Sequence, residues 1–115
     1  MKLPAPAAVR NKDELRRQLA QRLVAANPDQ VFSGKVPAPL LAVPVLEVEL
    51  NADGSVKAVK VLRQPGQARD TVQIATQAIH RAAPFGDVSK LPKPWTVVET
   101  FLFNDDRKFK PRSLD

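Results

Sequence analysis

Val45-Leu46-Glu47-Val48-Glu49-Leu50-Asn51-Ala52-Asp53-Gly54-Ser55-Val56-Lys57-Ala58-Val59-Lys60-Val61 holds two apolar stretches around one Asp-Gly turn. Leu46, Val48 and Leu50 alternate with Glu47 and Glu49, the period of a strand with one buried and one wet face. Asn51-Ala52-Asp53-Gly54 reads as a tight turn, in which Gly54 supplies a positive φ. Val56, Val59 and Val61 return. Their spacing slips from three to two, which predicts a bulge near Lys57-Ala58. Pro65-Gly66 closes the unit. Residues 45–63 therefore read as a β-hairpin.

Upstream, residues 12–26 carry Leu15, Leu19 and Leu23 at i+4 spacing, with Ala20 and Val24 widening the stripe. Arg16, Arg17, Gln18, Gln21 and Arg22 fill the other face, so the segment reads as an amphipathic helix. Asn11 stands where a cap belongs, with Glu14 three residues on. Asn27-Pro28 stops the helix. Pro28, Pro37, Pro39 and Pro44 make residues 27–44 a connection. Residues 1–10, with Pro4 and Pro6 among alanines, read as a flexible tail, and residues 11–112 as the domain.

Downstream, Val72, Ala75, Ile79 and Ala82 share one face of a second helix over 70–83, with Asp70 expected as its N-cap and Pro84 as its end. Residues 95–103 read as the last long strand, rich in β-branched and aromatic residues. Val97, Phe101 and Phe103 share one face with Glu99 as an awkward fourth. Phe109 is placed to anchor a short returning segment. The order is helix, strand, strand, helix, strand. That order predicts an α+β two-layer sandwich: a three-stranded antiparallel sheet with both helices on one face.

The chain has 115 residues, room for one domain, and no cysteine for disulfides or thiolate metal sites. Its net charge is +6. Residues 1–35 hold seven Lys/Arg against three Asp/Glu, and residues 36–115 eleven against nine, with no run of like charge. A basic nucleic-acid-binding module is the alternative that this balance leaves open. Enzymatic chemistry finds little support. His80 is the single histidine, Glu47 and Glu49 are neighbours on one wet strand face, and the four glycines are scattered. No catalytic residue, metal ligand or cofactor is assigned, and no small-molecule substrate is expected.

The hairpin with its Asp53-Gly54 turn and Val56-x-x-Val59-x-Val61 return resembles the C-terminal domain family of TonB and TolA. So does its sequel: a helix with an alanine-rich face, Ala83-Pro84-Phe85, and the strand from Val97 to Phe103. Leu91-Pro92-Lys93-Pro94, Phe109-Lys110-Pro111 and the helix before the hairpin look more like TolA. The resemblance implies a periplasmic domain of an inner-membrane-anchored protein in the cell envelope. Such a domain is joined to an inner-membrane motor complex through an N-terminal anchor and acts in energy transduction and protein transport. Its partners would be segments of an outer-membrane receptor or a Tol-system protein, bound by strand addition at the last long strand. Thr96, Val98, Thr100 and Leu102 lie on the alternate face of that strand and are the expected partner-binding residues, with Trp95 as a candidate anchor. A long apolar edge is an aggregation liability unless covered, so a partner or a second copy of the chain, as a homodimer, is expected to cover it. The competing expectation is that the chain's own helices or a further strand do so.

Overall fold

A computed structural model describes residues 3–115. The first two residues of the expected tail lie outside the described residues. The helix α1 (Lys12–Ala26) is followed by the strands β1 (Val45–Leu50) and β2 (Val56–Arg63). Then come helix α2 (Asp70–Ala82), strand β3 (Thr96–Phe103), the short strand β4 (Phe109–Pro111) and a final 3-10 turn at Arg112–Leu114. The sheet order is β2-β1-β3-β4, with every pairing antiparallel. The fold is thus α+β, as expected, but the sheet has four strands rather than three. Phe109 is fully buried and packs edge-on to Phe101 at 5.0 Å and against Phe103 at 5.6 Å. That aromatic contact turns a three-residue return into a strand.

Local signals act as the sequence implies in most places. The Asn11 side chain accepts the N–H of Glu14 at 2.8 Å and starts α1. The alternation of β1 buries Leu46, Val48 and Leu50. Its pairing with β2 skips a residue at Lys57, where the slip in valine spacing predicts a bulge, and again at Leu62. α2 begins differently from expectation. Arg69 stands at the cap without a side-chain bond, while Asp70 lies inside the first turn and accepts Arg107 Nε at 2.7 Å. The carboxylate still complements the positive helix end from there.

One core joins the layers. Leu15, Leu19 and Leu23 of α1 and Ala75, Ala78, Ile79 and Ala82 of α2 meet Leu46, Val48, Val97, Phe101 and Phe103 of the sheet. Both helices therefore cover the same sheet face. Asn27, read from sequence only as a helix stop, is buried between them. Its Nδ2 donates to the carbonyls of Leu23 and Ala78, and its Oδ1 accepts from Arg81. Residues of the expected tail make contacts with the rest of the domain. Val9 enters the core and its N–H donates to Asp87 O, while Pro4 O and Ala7 O accept from Arg22 and Gln18. Pro4, Ala7 and Val9 of the expected tail thus lie against α1 and the core.

Candidate functional site: the outer rim of strand β3

The position of β3 in the sheet follows from which way its main chain points. Phe101 and Phe103 donate their N–H groups to Pro44 and Ala42, and Trp95 O accepts from Leu50. All three acceptors or donors lie on the β1 side, so the odd positions of β3 face β1. In an extended strand the next residues turn their amides and carbonyls the opposite way. The even positions Thr96, Val98, Thr100 and Leu102 thus aim their main-chain groups at the outer rim.

Chain elements beyond β3 divide that rim in two. Over residues 101–103 it is closed: Leu102 pairs with Lys110 of β4. β4 is covered in turn, because Phe109 N–H donates to Gln30 O and Phe32 N–H to Phe109 O. The expected site therefore loses Leu102, which is 7% exposed and belongs to the sheet interior. The reason is the buried Phe109, which draws the C-terminal segment alongside this half of the strand. Over residues 96–100 no strand of the described residues lies outside β3.

A groove of about 330 Å³ runs along this open half, lined by Arg16, Val98, Glu99, Thr100, Arg112 and Ser113. Val98 is 44% exposed on the sheet face away from the helices. Thr96 and Thr100 flank it on the same face, half-buried. The groove floor is Glu99, on the core side of β3 and only 2% exposed. Its Oε2 accepts Thr100 N–H at 3.0 Å, Ser113 Oγ at 3.1 Å and Ser113 N–H at 3.4 Å. Its Oε1 is buried with no partner among the described residues. Burial lifts the carboxyl above its ordinary range; the Ser113 and Thr100 hydrogen bonds and the nearby Arg16 charge oppose that lift without cancelling it.

Three of the expected residues therefore share one rim, in two chemical states. The amides of Thr96 and Val98 face outward, while that of Thr100 is already capped by Glu99. Ser113 holds the cap from fourteen residues away, so no local pattern could have shown it. Trp95 sits apart from this groove. Its indole N–H donates to Leu91 O at 2.9 Å and Lys93 Nζ lies 4.8 Å over the ring. It lines a different depression of about 410 Å³ with Glu49, Asn51, Lys57 and Pro94. Among the described residues no three His, Asp or Glu side chains gather as metal ligands, and no helix is long and apolar enough to cross a membrane. Comparison with protein-family models, with curated proteins and with solved structures returned no match.

Proposed function

We propose that this domain binds an extended segment of another protein by adding it as a strand along residues 96–100 of β3. The observation that carries the reading is the outward pair of main-chain positions, Thr96 and Val98, in a strand whose other edge is held by β1. Such a half-edge offers donors and acceptors at fixed spacing, and main-chain pairing there gives affinity to any segment that can extend. Val98 and the groove beside it supply contacts for the segment's alternating side chains. The resemblance to the TonB and TolA C-terminal domains supports the same reading. It extends it to a periplasmic, non-enzymatic role, coupling an inner-membrane motor to outer-membrane partners.

Titration of the isotopically labelled domain with peptides from outer-membrane receptors and from Tol-system partners tests the proposal. Amide shifts should cluster at residues 96–100. Val98→Pro should abolish them, since the N–H removed makes no bond to β1 and proline is tolerated at such a position. Shifts confined to α1 and α2, or undiminished binding by a folded Val98→Pro domain, would count against it.

A further inference from the structure

The opposite border of the sheet is longer than the half-edge of β3. β2 is the terminal strand of the order β2-β1-β3-β4, and it runs eight residues. Its outward groups follow from the same alternation. Leu50 N–H donates toward β3, so Leu46, Val48 and Leu50 turn to β3, while Glu47 and Glu49 turn to β2. Their partners Lys60 and Ala58 therefore bond to β1. Val59 and Val61, opposite Val48 and Leu46, aim their N–H and C=O groups away from the sheet.

Side chains on this border divide by face. On the helix side Val59 is half-buried and Val61 is 38% exposed, and at the second bulge Leu62 is 47% exposed. On the other face stand Lys60, opposite Glu47, and Arg63, opposite Val45; Lys57 adds a third cation at the first bulge. β2 carries no acidic residue. Lys57 reaches Glu49 at 3.9 Å with both side chains largely exposed, a pairing of little energetic weight.

We propose that the outer edge of β2 is a second docking surface, for an extended protein segment that alternates apolar and acidic residues. The proposal stands independently of the β3 rim. Apolar residues of the segment would lie opposite Val59 and Val61 and cover them. Carboxylates would lie opposite Lys60 and Ala58, about 5 Å away across the new ladder, with Lys57 and Arg63 as the flanking cations. Lys60 would then sit between Glu47 and the incoming carboxylate. A second copy of this chain is the poorer occupant, because antiparallel pairing of two β2 strands sets three cations against three. The pattern required is the one that β1 already presents to the other edge of β2: Val45, Leu46, Glu47, Val48, Glu49, Leu50.

That pattern supplies the probe. A blocked peptide of sequence Val-Leu-Glu-Val-Glu-Leu and its counterpart with lysine in place of both glutamates are titrated into the whole labelled domain. The acidic peptide should shift the amides of residues 58–62, and the lysine peptide should bind at least tenfold more weakly. Val61→Pro, which removes an outward N–H and no bond to β1, should abolish the shifts while amide dispersion shows the fold intact. A Lys60→Glu, Arg63→Glu double variant should reverse the order of the two peptides. Equal binding of both peptides, shifts at residues 96–100 instead of 58–62, no shifts at millimolar peptide, or self-association through β2 would each overturn the proposal. Failure at β2 leaves the β3 reading untouched, since Val98→Pro and Val61→Pro report on different edges.

Discussion

Gly54 and Glu99 show how single residues constrain this fold. Gly54 has φ +88°, and a Cβ there would overlap the backbone of Gly86 in the α2–β3 connection. The approach is close because Phe85 N–H donates to Gly54 O and Val88 N–H to Ala52 O. Gly54→Ala meets both a disfavoured conformation and rigid backbone, so it should cost about 3 kcal/mol or more, read as a lowered urea midpoint. A cost below about 1 kcal/mol would mean that the hairpin tip does not dock as described. Glu99 predicts a pH signature. A carboxyl whose folded pKa lies above its unfolded value binds its proton more tightly in the folded state. Its contribution to stability is complete below the unfolded value of about 4.3 and is lost as pH rises through the raised folded value. Glu99→Gln lacks this group. The stability of the natural domain minus that of the variant should therefore fall as pH rises from about 4, measured by urea unfolding at each pH. Asp53, Asp70 and Asp87, held below the ordinary range by Ser55, Arg107 and Ser89, titrate with the opposite sign and are common to both proteins. A difference that grows with pH would contradict the buried carboxyl.

Among the elements, β4 depends most on a single side chain. Phe109 should be worth about 3–5 kcal/mol on truncation to alanine, because it is fully buried against two other phenylalanines and the segment around Val31. Its loss should also free Leu102, so amide protection at residues 101–103 should drop together with that of 109–111; an unchanged pattern there would show that β4 does not depend on this anchor. The hairpin, both helices and the long strand were legible because their periods run over many residues. Alternation also marked Thr96, Val98 and Thr100 as equivalent positions. β4 was not legible as a strand: three residues ending in Pro111 carry no period, and only the packing of Phe109 makes them pair. Leu102 was misread for that reason. Asp70 reads as a cap from composition, but Ala68, at φ +50°, starts the turn one residue early, and Arg107 claims the carboxylate. Asn27 and Ser113 act through partners distant in sequence, Ala78 and Glu99, and neither contact leaves a local trace.

At the scale of the whole molecule, two helices shield one face of the sheet, and open main-chain groups remain at its two borders. Arg10, Arg16, Lys57, Arg107 and Lys110 each lie within 4 Å of a carboxylate, so part of the +6 balance is locally answered. A nucleic-acid module would bind oligonucleotides at ~50 mM salt and release them steeply as salt rises. This domain is predicted to show no such binding in a fluorescence titration; a steep salt slope would favour the alternative. In the free domain, before any partner is added, residues 96–100 carry a rim of main-chain groups that is open at two positions and capped at the third. Residue-resolved hydrogen exchange reads this directly. The amides of Thr96 and Val98 should exchange rapidly while those of Val97, Glu99 and Thr100 are protected, the last by Glu99. Protection of Val98 equal to that of Val97 would mean the rim is already occupied, and would contradict the account.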